Sequence, residues 1–418
     1  MIDLKLLRAD PELFRAAYEL RQAEVDIDGL VDLDGRHRTL LGQVENLRAE
    51  ANRANKAIAE ATGQQRAEAI AAAKEKSQGL QDVESQLRAI REELDSILLG
   101  VPNLVHPDSP PGLGEEANRI VREPAEIRKF DFEPKDHLTL GESLDIIDVE
   151  RAGRVSGSRF AFLKRDGALL ELALQRFAIE HLTPARFIPV IPPVLVKREA
   201  MVGTGFFPTD ETQVYRIESD DLYLAGTSEV PIASMHAGET LKFEDLPLRY
   251  LAISSCFRRE AGTYGKDTRG IIRLHQFEKI EMFSFCHPER SQEEHAALVA
   301  FEEEIFTALE IPYRVVEICA GDLAAPNYRK YDIEAWLPGS ERWLEVTSCS
   351  NDIDFQARRL GVRTKSGSGT ELVHTLNGTA IACGRAIVAL LENHQRSDGS
   401  IDIPDALKPF TGFDVIKT

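Results

Sequence analysis

No stretch of this 418-residue chain stays apolar for the ~18 residues that a bilayer-crossing helix requires, so no membrane span is expected. The first residues, MIDLKLLRADPELFRAA, are amphipathic and charged, without the apolar core and small-residue cleavage site of a secretory signal. No two of the five cysteines, Cys256, Cys286, Cys319, Cys349 and Cys383, stand in a C-x-x-C pair. That scatter indicates neither a zinc knuckle nor a disulfide framework and suits a reduced cytoplasm. Cations are in deficit: 50 Lys+Arg against 69 Asp+Glu leave a formal charge of −19. Such a balance argues against general coating of nucleic acid but permits local basic surfaces. Nucleotide signatures are missing too. No G-x-x-x-x-G-K-S/T occurs, GTGFF (203–207) is not followed by lysine, and no G-x-G-x-x-G follows a strand. A nucleotide site here is neither a P-loop nor a dinucleotide fold.

A hydrophobic content of 43% with 28% charged residues fits a soluble globular protein, and the length suggests two domains or more. LRADPELFRAAYELR reads as one short helix, with Asp10 as cap and Pro11 in its first turn. From about Asp28 to Leu98 the chain has no proline, and its apolar residues follow heptad spacing. One seam runs from Leu30 and Leu33 through His37, Leu40, Val44 and Leu47 to Ala51, Ala54, Ile58 and Ala61. The other starts at Arg66, Ala69, Ala73 and Lys76 and continues through Leu80, Val83, Leu87, Ile90, Leu94 and Ile97. This pattern predicts an antiparallel helical hairpin turning near Gly63-Gln64, with Leu47 facing Leu80 and Val44 facing Val83. Alanines toward the tip predict a slim arm, and about 35 residues per helix make it about 50 Å long.

Residues 36–91 hold ten Lys/Arg against seven Asp/Glu, a local excess of cations that includes Arg36, Arg38, Arg48, Arg53, Lys56, Arg66, Lys74 and Lys76. A few placed cations can hold a nucleic-acid backbone despite an acidic total. On charge alone, a solvated coiled-coil face with ion pairs explains them better.

GVPNLVHPDSPPGLGEEAN (100–118) reads as a linker or extended crossing. Beyond it the sequence alternates strands with helices. RFAFLK, YRVVEIC, KYDIEAWLP and RWLEVTS read as strands, YRIESDDLYLA as a hairpin, and GALLELALQRFAIEHL and TAIACGRAIVALLENHQ as helices. FIPVIPPVLV is broken by proline and is at most an edge strand. Long strands with few helices between them predict an α+β fold on a mainly antiparallel sheet.

The chemistry concentrates around FRREAGTYGKDTRG (257–270), where Arg258, Arg259, Lys266 and Arg269 crowd one loop between two long strands. On the second strand, Arg273, His275, Phe277, Lys279, Glu281 and Phe283 share one face by parity, and Leu274, Ile280 and Met282 the other. An arginine fork for phosphate, a glutamate for an exocyclic amine and a phenylalanine for stacking are what a purine nucleotide needs. Taken alone, this face is better explained as an ordinary sheet surface with cross-strand ion pairs.

These residues stand in motifs that resemble bacterial seryl-tRNA synthetases along essentially the full chain. FIPVIPPVLVKREAMVGTG resembles motif 1 of class II synthetases, FRREAGTYGKDTRGIIRLHQFEKIEMF motif 2 and LNGTAIACGRAIVALLENHQ motif 3. Thr227-Ser228-Glu229 resembles the family's serine loop. The resemblance implies a class II catalytic domain over 121–418, a linker at 105–120 and an N-terminal tRNA-binding domain over 1–104 that carries the arm. It implies an ATP site of Arg258, Arg259, Glu260, Phe277, Glu345, Val346, Thr347, Ser348 and Arg385. Arg258 and Arg385 would meet the phosphates, Glu260 the adenine amine and Phe277 the base. Glu345 and Ser348 would hold Mg2+. Thr227, Ser228, Glu229, Arg258, Glu281, Asn377 and Thr379 would hold L-serine. Thr347 stands where the family pattern leads one to expect serine. Plain strand alternation sends Glu345 and Ser348 to opposite faces, so a bend is required between them.

The implied reaction has two steps: serine's carboxylate attacks the α-phosphorus of ATP, and a tRNA ribose hydroxyl then attacks the seryl-adenylate. The implied partners are a homodimer mate and a tRNA, held by its long variable arm and acceptor end. A selenocysteine tRNA is a further substrate where the organism has one. The same motifs weigh against three rivals, namely a synthetase-like paralogue without aminoacylation, a dimerising coiled-coil scaffold and another class II specificity.

Overall fold

The computed structural model describes residues 1–124, 126–262, 269–367 and 369–418; Lys266, counted above among the loop cations, lies outside the described residues. The chain divides into two compact units, one of Ile2–Glu19 and Ala23–Val101 and one of Met1, Leu20–Gln22 and Pro102–Thr418.

The short helix read from LRADPELFRAAYELR is present as α2 (Pro11–Arg21), and a further helix, α1 (Leu4–Ala9), precedes it. They break at Asp10, whose carboxylate accepts from the Leu13 backbone N–H as a cap should. The hairpin follows as α3 (Ile27–Glu60) and α4 (Gly63–Gly100). Ion pairs from Arg48 to Glu84 (2.8 Å) and from Lys76 to Glu50 (3.1 Å) tie the helices in nearly the register that the seam predicts. Leu30, Leu33, Val44, Ala73, Ile90 and Leu94 are buried as expected. At the base, however, Leu98 is buried and Ile97 is 44% exposed, and Arg66 and Lys76 turn outward from the seam. A straight helix drifts against a strict heptad, which moves the buried stripe by one position there.

The larger unit is built on an eight-stranded sheet. Its strands are β1 (Arg119–Arg122), β2 (Ile188–Val190), β3 (Leu248–Phe257) and β4 (Gln276–Cys286), then β5 (Tyr313–Glu317), β6 (Arg329–Leu337), β7 (Arg342–Ile353) and β8 (His374–Ala382). The order across the sheet is β1-β5-β6-β7-β8-β4-β3-β2, antiparallel throughout except for the parallel pair β2–β3. The proline-broken segment sits at the edge, where a missing N–H costs no ladder bond.

Three helices, α5 (Asp166–Leu182), α6 (Ser291–Ala308) and α7 (Cys383–Asn393), cover one face through Leu174, Phe177, Leu298, Phe306, Ile387 and Leu391. Ile280 and Met282 of β4 join that core while Lys279 and Glu281 line a cavity, as strand parity requires.

Three expectations shift in detail. TAIA (379–382), expected to open the last helix, completes β8, because its backbone pairs with β4, Thr379 opposite Glu281 and Ile381 opposite Ile280. Residues 271–275 precede β4, and RFAFLK forms a strand only at Phe162–Leu163. The segment read as a linker or extended crossing takes the second form: residues 101–106 hold no helix or strand and are hydrogen-bonded into the larger unit, with Asn103 N–H to Ala325 O and His106 N–H to Tyr328 O.

Candidate active site

Most of the polar side chains assigned to ATP and serine by sequence meet around one cavity of about 480 Å³ on the sheet face opposite the helices. β4 supplies its floor through Phe277, Lys279 and Glu281. Arg258 and Glu260 follow the end of β3. The Arg258 guanidinium is tethered by Nε donating to Gly226 O (3.1 Å), and its carbon lies 5.5 Å from the Phe277 ring centroid. Glu260 has a left-handed φ of 50°, a conformation that costs a non-glycine residue about 1–2 kcal/mol, and its carboxylate takes a 3.1 Å bond from Arg273. Gln213, which sequence reasoning did not find, clamps this turn. Its side chain bonds both the N–H and the C=O of Ala261, and its backbone carbonyl takes the Arg259 N–H. No local pattern marks it, because it lies on a short 3-10 turn far away in sequence.

At one end of the floor the side chains make a buried polar niche. The Thr227 hydroxyl donates to Glu281 (2.7 Å) and accepts from Lys279 (3.0 Å), and Lys279 is ion-paired with Glu281. Lys279 stood on the correct strand face by parity but was given no role; its place two residues from Glu281 was the available signal. Glu229 begins the helix Glu229–Met235 and accepts from Gln356 (2.6 Å). Burial pushes its carboxyl up to about 8, helped by the negative charges of Asp352 and Glu281. Asn377 and Thr379 close the niche from β8, and Asn377 donates to Asp352 (3.4 Å).

The other end is electropositive. Arg385, in the first turn of α7, donates to the Glu345 backbone carbonyl (2.7 Å) and carboxylate (3.1 Å). Burial works against the charge on Glu345, but Arg385, Lys330 and Arg258 outweigh it and hold this carboxyl at about 2. The bend demanded between Glu345 and Ser348 is present as a β-bulge. Ile333 pairs with Thr347 and Glu334 with Glu345, so Val346 has no partner across the ladder. Glu345 and Ser348 therefore both open onto the cavity. Thr347 differs from the expectation: its hydroxyl turns away from the nucleotide side and donates to buried Glu302 (2.8 Å).

Two predicted residues do not line the cavity. Ser228 is buried with its hydroxyl unpaired among the described residues, and Arg259 is exposed. On the arm, Arg36, Arg38, Arg48, Arg53, Lys56, Arg66, Lys74 and Lys76 are all exposed; Arg48 and Lys76 are engaged in the cross-helix pairs.

Residues 213–394 match the family model described as tRNA synthetase class II core domain (G, H, P, S and T), which identifies this sheet and cavity as a class II synthetase core. Residues 1–105 match the Seryl-tRNA synthetase N-terminal domain. The chain is 50% identical to a serine–tRNA ligase of Thermobifida fusca over 100% of its own length and 99% of the relative's. It is 48% identical to serine–tRNA ligase 1 of Streptomyces avermitilis over 99% and 98% of the two chains. A crystal structure of seryl-tRNA synthetase from Pyrococcus horikoshii complexed with ATP superposes with a TM-score of 0.93 at 42% identity, covering 100% of this chain and 99% of that one. The chain belongs to the seryl-tRNA synthetase family.

Proposed function

We propose that the protein activates L-serine with ATP and transfers it to the 3′ end of a cognate tRNA. One observation carries the residue assignment: the side chains suited to base, phosphate and amino acid open onto the same cavity. Phe277 takes the base, with Glu260 at the adenine amine. Arg258 and Arg385 flank the phosphates and stabilise the charge that builds as serine's carboxylate attacks the α-phosphorus and pyrophosphate leaves. The nucleophile is already an anion, so the niche has only to hold it in line. In the second step the ribose hydroxyl attacks the carbonyl carbon of the mixed anhydride and AMP departs.

The oxygen donors fit a magnesium ion. Ionised Glu345 and the Ser348 hydroxyl share the cavity wall. Among the described residues no cluster of three acidic, histidine or cysteine side chains could hold a metal alone. That suits Mg2+, which binds through one or two carboxylates together with substrate phosphates. Glu345 and Ser348 would hold it, and the ion would neutralise phosphate charge.

The assay is ATP–pyrophosphate exchange, which is expected to depend on serine. Exchange driven equally by threonine or alanine contradicts the assignment. A pH signature accompanies it. Because the Glu229 carboxyl lies at about 8 against 4.5 in a free glutamate, a serine ammonium placed beside it must expel its proton at pH 7. Serine affinity should then rise with pH toward about 8, and calorimetry in buffers of different ionisation enthalpy should show proton release that Glu229→Gln abolishes. By the same linkage the native state holds this proton more tightly than the unfolded chain. The carboxyl's contribution to stability therefore falls as pH rises from 4.5 to about 8.

We assign residues 1–104 to tRNA binding, 105–120 to the connection and 121–418 to catalysis. The exposed cations of α3 and α4 fit the backbone of the tRNA's long variable arm. Deleting residues 36–91 should leave exchange within about twofold of the intact protein while charging of tRNA is lost, since backbone contacts to several phosphates carry such affinity. Charging that survives the deletion overturns the arm's role. A homodimer is supported by exposed Ile188, Ile191 and Leu195 in and beside edge strand β2, with Ile191 81% exposed. No helix among the described residues is long and apolar enough to cross a membrane, and all five cysteines are free and buried, which supports a reducing cytoplasm.

A further inference from the structure

Glu302, on α6 beneath the sheet, is fully buried and outside the cavity, and neither step of the reaction uses it. It lies under a second bulge as well as the first. Along β4–β8, Ile280 pairs with Ile381 and Glu281 with Thr379, so Ala380 is extra on β8 as Val346 is on β7. The pairing of Cys349 with Gly378 places the two bulges side by side on neighbouring central strands. Each bulge turns two consecutive residues to the helix side, so the residues flanking them, Glu345 with Ser348 and Thr379 with Ala382, all reach the cavity.

One Glu302 oxygen accepts from Thr347 Oγ1 in the first bulge (2.8 Å). The other, which has no hydrogen-bond partner among the described residues, rests so close to Gly378 that a Cβ there would come within 2.9 Å of it. Burial, with the charges of Asp332 and Glu281, pushes this carboxyl well above the usual range, so its neutral form is favoured.

We propose that Glu302 is a positioning residue that holds the first bulge through Thr347 and backs the second by packing against Gly378, and thereby sets the phosphate end and the serine niche in register with each other. The inference rests on the activity proposed above and deepens it. Bulges beside active sites re-aim side chains, and a polar group that orients ligating residues from behind is commonly worth about 10–100-fold in activity or affinity.

The test uses the full-length protein. Glu302→Ala should lower kcat/KM for exchange by about 10–100-fold, with the KM values for serine and ATP rising together and calorimetric ATP binding weakening in parallel. Glu302→Gln, which keeps shape and hydrogen-bonding capacity, should stay within about threefold of the unmodified protein. Thr347→Val should lose activity in the same direction, and the double variant should lose less than the product of the two single losses. If Glu302→Ala does not fold, the Gln and Val variants decide. Unchanged KM values in Glu302→Ala, a Gln variant that is not rescued, or additive losses in the cycle overturn the positioning role. Absence of serine-dependent exchange in the unmodified protein would count against the parent reading instead, and ATP binding by the variants still tests this one.

Discussion

Arg258→Ala is expected to lower kcat/KM for serine-dependent exchange by about 10²–10³-fold, the size of effect found when one preorganised donor to a developing charge is removed. The guanidinium is fixed in advance by the Gly226 carbonyl on one side and the Phe277 ring on the other, so little ordering remains when substrates bind. It is the residue assigned to both the α-phosphate and the serine carboxylate, so both KM values should rise as kcat falls. Arg258→Lys should recover only part of the loss, because an ammonium cannot offer a planar fork to two oxygens. An alanine variant within about tenfold of the intact protein would place the charge stabilisation elsewhere.

Glu281→Ala should be as damaging and should also change selectivity. The Glu281 side chain is only 2% exposed and carries both Thr227 and Lys279. A site that hydrogen-bonds a substrate hydroxyl rejects the analogue lacking it by about 10⁴–10⁵, because buried groups are left unpaired. Serine should therefore outcompete alanine by about 10⁴ in the intact protein, and by no more than about tenfold once Glu281 is gone. Exchange with serine itself should fall by about 10³-fold or more. Melting curves of the variant separate this from unfolding, since Lys279 loses its counter-charge. Discrimination that persists without Glu281 would move the hydroxyl contact to another residue.

Much of this was legible in the sequence, unevenly so. The hairpin was readable because a heptad seam is a long one-dimensional signal, and its register appears in the Arg48–Glu84 and Lys76–Glu50 pairs. Strand parity put Phe277 and Glu281 on one face and Ile280 and Met282 on the other, since alternation along β4 is undisturbed against β3. The need for a bend between Glu345 and Ser348 could be stated from parity alone, but its position could not, because a bulge is defined by the partner strand. Thr379–Ala382 was misread as helix for a related reason: GTAIACGRAI carries helix-like apolar spacing, and only pairing with β4 makes Thr379–Ala382 a strand. Gln213 and Glu302 were invisible because each acts across more than forty residues of intervening chain, Gln213 on Ala261 at a separation of 48 and Glu302 on Thr347 at 45.

The central claim is that one bent adenylate fills this cavity, its base on Phe277, its phosphate between Arg258 and Arg385, and its serine moiety at Glu281. The most direct measurement is a crystal structure with a non-hydrolysable seryl-adenylate analogue. The prediction is density for the base against the Phe277 ring and for the seryl hydroxyl within hydrogen-bond reach of Glu281 or Thr379. An analogue bound with its base away from Phe277, or with its seryl group outside the Thr227–Glu281 niche, would contradict the assignment.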